Sequence, residues 1–159
     1  MNQEQVTALA FWLGEQSRAL NLVIDYRDLT RPEQAVKLIW ELEAEVNNGG
    51  FSQYYFNSAG DHANEAVFAL LAIGAKACAE IVGRANQAWS LGPVPTDREV
   101  RMEAIAEQFG EKEEEYWHRL DEQFYEYPDD LQTLMVQYAI ARQKEIAGFP
   151  EAITRIAGV

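Results

Sequence analysis

The sequence predicts an all-α fold: a single compact multi-helix domain of about six to eight helices over residues 1–159. Three observations lead there. Apolar residues recur at spacings of three and four along most of the chain, the period of one helical face. Thr30-Arg31-Pro32-Glu33 and Thr96-Asp97-Arg98-Glu99 both carry the threonine-to-glutamate spacing of a capping box. No persistent period-two pattern, internal repeat or low-complexity tract competes with the helical reading.

Val6, Leu9, Ala10, Leu13, Ser17 and Leu20 place a helix within residues 3–20, with Phe11 and Trp12 widening its stripe. Residues 21–29 read as a connecting loop with buried anchors. The helix opened by Thr30 buries Ala35, Ile39, Leu42 and Val46 and stops at Asn47, Asn48, Gly49 and Gly50, residue types that close helices in the left-handed conformation. Phe51, Tyr54 and Tyr55 follow at helical spacing and predict a second short helix. Asp61 is the expected cap of a long core helix carrying Ala63, Val67, Leu70, Leu71, Gly74, Ala77, Cys78 and Ile81. Gly83 and a linker near residues 91–96, rich in proline and glycine, end it. Beyond it, Met102, Ile105, Ala106 and Phe109 predict one helix, which Gly110 breaks or bends. Tyr116, Trp117, Leu120 and Phe124 continue the pattern as far as Tyr127-Pro128. A last long helix opens at Asp129-Asp130 and ends near Gly148 and Pro150. A frayed turn or two is expected over 151–159.

A chain of 159 residues is long enough for one real core. Its net charge of -13 is the unusual feature. Such a chain repels nucleic acid and anionic membrane and attracts basic proteins. A lone cysteine, Cys78, excludes an internal disulfide and suits a reducing compartment. The start, Met-Asn-Gln-Glu-Gln, lacks a basic signal-peptide region, and no apolar run reaches membrane-spanning length. A cytoplasmic protein is expected.

The acidity is concentrated. Residues 97–130 hold thirteen acidic and four basic residues, a net -9 of the -13. Glu99, Glu103, Glu107 and Glu111 recur every four residues, which on a continuous helix sets carboxylates about 6 Å apart along one edge. Two readings stand: a solvated helix face held by tertiary packing, or a surface for a partner rich in lysine and arginine. On the second, the partner-binding candidates are Glu99, Glu103, Glu107, Glu111, Glu113, Glu114, Glu115, Asp121, Glu122, Asp129 and Asp130.

Catalytic and metal patterns are sparse. Asn48-Gly49-Gly50 lacks the lysine and hydroxyl residue of a phosphate loop. Glu115 and His118 have the spacing of one half of a di-iron motif, but no second half exists. Asp61, His62 and Glu65 form a weak cluster, and Glu41 with Glu45 a weak carboxylate pair. Cys78 lies on an apolar face and reads as a small core residue. No catalytic residue, cofactor or metal is expected. In the stretch 47–57 the amides would satisfy backbone groups freed at the helix break while Phe51, Tyr54 and Phe56 fill the core. The alternative is a small ligand site lined by Asn48, Gln53 and Tyr54.

Glu43, Glu45, Val46, Asn47, Asn48, Gly49, Gly50, Phe51, Gln53, Tyr54, Asn57 and Gly60, with Ala72-Ile73-Gly74-Ala75 downstream, resemble the signature of a family of acidic bacterial domains of mostly unassigned function. Its best-described type is a DNA-mimic protein that binds a helix-turn-helix transcription regulator and keeps it off its operator. The resemblance implies an all-α domain able to form a homodimer, with no cofactor and no catalysis. The leading expectation is therefore a non-enzymatic interaction protein that occludes a basic DNA-binding protein without touching nucleic acid or membrane itself. The alternatives are a small-ligand-binding or hydrolytic domain using the Asn47–Asn57 cluster, and an immunity or antitoxin-like inhibitor of a basic nuclease.

Overall fold

The computed structural model describes residues 1–90 and 92–158; Leu91 of the expected linker and Val159 of the expected tail lie outside the described residues. Among the described residues are eight α-helices, four short 3₁₀ turns and no strand. Helix α1 (Gln3–Glu15) is capped by Asn2 and Gln5 and buries Leu9, Ala10, Trp12 and Leu13, while Phe11 faces solvent instead of widening the stripe. The connecting segment is anchored by Leu29 and half-buried Tyr26; Leu22 and Val23 are fully exposed.

The organising element is α2 (Arg31–Phe56). Thr30 and Glu33 form the predicted capping box at its start. The helix breaks where the sequence places the break. Gly49 leaves helical geometry, and Gly50 takes φ 72° and ψ -174°, a region essentially reserved for glycine. Phe51, Tyr54 and Tyr55 on the far side are buried. Phe56, expected in the core, is turned outward because Tyr55 takes the inward position at that end of the helix.

The long core helix expected over residues 61–81 is two helices, α3 (Ala63–Ile73) and α4 (Lys76–Asn86). Gly74 adopts φ 90° and closes α3, and the apolar pattern runs on across the turn. Gly83, expected to end the helix, lies within α4. Asp61 caps nothing; it sits in the 3₁₀ turn Ser58–His62 and pairs with a distant arginine. Gly60 in the same turn lies so close to α2 that an added Cβ would come within 2.8 Å of the Tyr54 carbonyl.

The segment before α5 (Arg98–Gln108) is pinned to the body. Val94 is buried, and Asn64 bonds both its carbonyl and its amide, at 2.8 and 3.2 Å. The cap of α5 is Asp97, one residue after the expected threonine. Gly110 breaks the helix fully and caps α6 (Glu111–Tyr125). Helix α7 (Leu131–Ala141) is shorter than expected. Gly148 and Pro150 begin α8 (Phe149–Ala157), whose Phe149, Ala152 and Ile153 are buried, with the Phe149 ring tilted against Trp12 at 5.5 Å between centroids. One continuous apolar core links residues from all eight helices.

Candidate functional site

The acidic stretch lies on α5, α6 and the turns around them. Ten of its thirteen carboxylates are exposed; Glu113 and Asp129 are half-buried, and Asp121 is buried. Glu99, Glu103 and Glu107 share an edge of α5. Glu111 does not continue that edge, because Phe109 is extended and α6 starts a new axis. Glu111, Glu114, Glu115 and Glu122 are exposed on α6.

Several candidates serve the fold. The Glu113 carboxylate accepts the Gly110 N–H at 2.9 Å, which holds its carboxyl below the usual range. Asp130 caps α7 by accepting from Thr133 N–H at 3.0 Å. Asp129 reaches the first turn of α4 and accepts the Cys78 N–H at 2.8 Å. Asp121 faces inward and accepts the Phe51 N–H at 2.7 Å, so it is not part of an exposed surface. Burial pushes its carboxyl up against that stabilising bond.

Asp121 explains the chemistry of the break in α2. The missing turn frees the Phe51 N–H and the Val46 carbonyl. Helix α6 satisfies both: Asp121 takes the amide, and the Tyr125 hydroxyl donates to the carbonyl at 2.8 Å. An added Cβ on Gly50 would collide with the Asp121 carboxylate. The amides of the stretch, expected to satisfy backbone, instead brace side chains. Glu45 accepts from Gln53 at 2.6 Å and Asn57 at 2.9 Å, tying the two halves of α2 together. Asn48 donates to Gln53 at 3.0 Å. Asn47 donates to the Tyr127 hydroxyl at 2.6 Å, and that hydroxyl donates to Glu43 at 2.9 Å. Tyr54 is buried while Asn48 is exposed, so Asn48, Gln53 and Tyr54 do not line one cleft.

The basic residues of the stretch leave the acidity largely unmatched. Arg101 is wholly buried. Its guanidinium donates to the carbonyls of Tyr55, Asn57, Pro95 and Thr96 at 2.9–3.1 Å and to Asp61 at 2.5 Å. One arginine thus fastens the end of α2, the 3₁₀ turn and the entry to α5. Arg98 lies over the Phe56 ring and donates to the Phe56 carbonyl at 2.9 Å. Arg119 rests over Tyr116. Between α5, α6 and the end of α2 runs a groove of about 350 Å³, with Phe56, Ile105, Phe109 and Trp117 along it and Glu114 and Gln53 beside them.

Chemistry elsewhere is limited. Burial raises the Cys78 thiol to about 12, the state of an unreactive core cysteine. Glu41 pairs with Lys37 rather than Glu45. His118 lies 3.8 Å from Glu122, and His62 stacks on Tyr26. Among the described residues no group of three or more His, Cys, Asp or Glu side chains has metal-binding geometry, and no helix is long and apolar enough to cross a membrane.

No curated protein and no solved structure matches the chain. Residues 27–143 match the DMP19-like protein family. The matched segment runs from the turn before α2 through α7 and takes in the broken helix, its Asp121 brace and the Arg101 fastening. On that match, which covers most of its length, the chain belongs to the DMP19-like protein family.

Proposed function

We propose that this protein is a non-enzymatic interaction protein whose α5–α6 surface captures a basic protein and occludes it, acting as a DNA mimic toward a DNA-binding transcription regulator. One observation carries the reading. The exposed carboxylates of α5 and α6 have few cations to answer them, because Arg101 is buried and committed to Asp61 and four carbonyls. Fixed negative charge of this kind steers a positively charged partner and speeds encounter. The groove beside Glu114 suits such a partner, since lysine and arginine side chains lay apolar stems along apolar surface while their charged heads stay in polar surroundings. A DNA-reading protein carries its cations spaced for phosphates. Glu99, Glu103 and Glu107, about 6 Å apart, offer anions in a row.

The test is capture at low salt, with identification of the captured protein and competition by its operator DNA. The variant Glu103→Lys, Glu107→Lys and Glu114→Lys should keep its helical circular dichroism and lose capture. Undiminished capture would sink the surface assignment. A captured protein that remains able to bind operator would sink occlusion.

A further inference from the structure

A second concave site lies away from the acidic helices. A cleft of about 400 Å³ opens between α1, α2 and α7, within the size range of small-molecule sites. Its walls include Trp40, Met135 and Ala44, and four polar side chains line it: Glu15, Glu43, Asn47 and Gln132. The Trp40 ring is seated against Gly14, where any Cβ would collide with it. Glu43 and Asn47 are joined through the Tyr127 hydroxyl, which receives from one and gives to the other. Both carboxylates are without a cationic partner among the described residues. Glu43 is half-buried, and its carboxyl is pushed up by that burial. No lysine, arginine or histidine lines the cleft.

We propose that this cleft binds a small organic cation, an alkylammonium with an apolar body. The ring face of an indole attracts an ammonium or quaternary ammonium group. Two unpaired carboxylates beside it supply the counter-charge, and a half-buried carboxylate gains most from a cation brought alongside it. Ala44 and Met135 receive the alkyl part. The site shares no lining residue with the α5–α6 groove, so it stands or falls independently of the partner surface.

The experiment titrates the full chain with hexyltrimethylammonium, and in parallel with neutral heptanol, while the tryptophan indole N–H resonances are followed by NMR. The Trp40 resonance, assigned with Trp40→Phe, should shift and saturate with the cation while those of buried Trp89 and Trp117 stay in place. Heptanol should bind at least about fivefold more weakly, the discrimination expected of an ammonium over an indole face. Glu15→Gln, at an exposed position, should weaken the cation about fivefold as well, and Glu43→Gln should do so if it folds. Glu103→Gln, on the other surface, should leave binding unchanged. Equal binding of heptanol, equal weakening by Glu103→Gln, or a Trp40 shift that never saturates would each overturn the proposal.

Discussion

Replacing Arg101 by methionine should destabilise the protein by about 4 kcal/mol, chiefly from buried carbonyls left without a donor at about 1–3 kcal/mol each. The structure supports that magnitude in two ways. The side chain is fully buried, so solvent does not screen it, and its removal leaves the carbonyls of Tyr55, Pro95 and Thr96 without this donor, while the Asn57 carbonyl keeps the Gly60 N–H at 3.1 Å. Partial rehydration keeps the three from adding in full. Asp61 is partly exposed and returns to water at little cost. A domain of this size is stable by about 5–15 kcal/mol, so the loss is large and survivable. Urea unfolding followed by circular dichroism measures it. With a slope near 2 kcal/mol per molar, the midpoint should fall by about 2 M. Arg101→Lys should recover part of the loss, because three ammonium donors replace five guanidinium donors but keep the charge. A midpoint shift under about 0.5 M for the methionine variant, or a lysine variant no better than methionine, would refute the fastening role.

Gly50→Ala should cost about 3 kcal/mol or more in the same assay, since its φ of 72° and ψ of -174° belong to glycine and the new Cβ strikes Asp121. Asp121→Ala, which removes the colliding carboxylate, should make Gly50→Ala cost less than it does in the unaltered protein if that collision matters, and a loss under about 1 kcal/mol for Gly50→Ala would refute the strain argument. Glu43 keeps its proton to higher pH in the folded protein than in the unfolded chain. The folded state therefore binds more protons between the two pKa values, and its stability falls as pH rises from the unfolded value near 4.5 through the raised one. Glu43→Gln removes that fall, so its stability relative to the unaltered protein should improve on going from pH 4 to pH 7; a pH-independent difference in paired urea titrations would count against it.

Local chemistry was legible in the sequence. The Thr30 capping box, the break at Gly49 and Gly50 and the short helix beyond it all depend on neighbours within four residues. Gly74 was not, because the apolar spacing crosses it unbroken and only its left-handed φ separates α3 from α4. The polar residues that matter most were counted as surface charge. Arg101 precedes Ile105 and Phe109 at spacings of four, which puts it on the inward stripe of α5. Asp121 follows Trp117 by four and precedes Phe124 by three, on the buried side of α6. A charged residue in register with an apolar stripe is the signal that marks both. Their partners lie 46 and 70 residues away, and no local pattern names them. The resemblance rests on residues of the broken helix, but the groups that complete the break, Asp121, Tyr125 and Tyr127, come from α6 and the turn after it.

The acidic residues thus divide into those the fold consumes and those it tolerates, and added salt should separate the two. Asp121, Glu45 and Asp61 hold partners at hydrogen-bond distance inside the body. Glu99, Glu103 and Glu107 face water in a row on α5 and repel one another. At 6 Å in water each neighbouring pair costs about 0.7 kcal/mol before screening. Raising sodium chloride from about 0.01 M to 1 M shortens the Debye length from about 30 Å to 3 Å, well inside that spacing. Folding stability should then rise by about 1 kcal/mol. Capture of a basic partner should weaken over the same range, because one set of charges drives both effects with opposite sign. Glu99→Gln, Glu103→Gln and Glu107→Gln combined should flatten both salt dependences together. If the triple variant flattened only the folding response, the α5 row would be a solvated face that the fold bears for reasons unrelated to any partner.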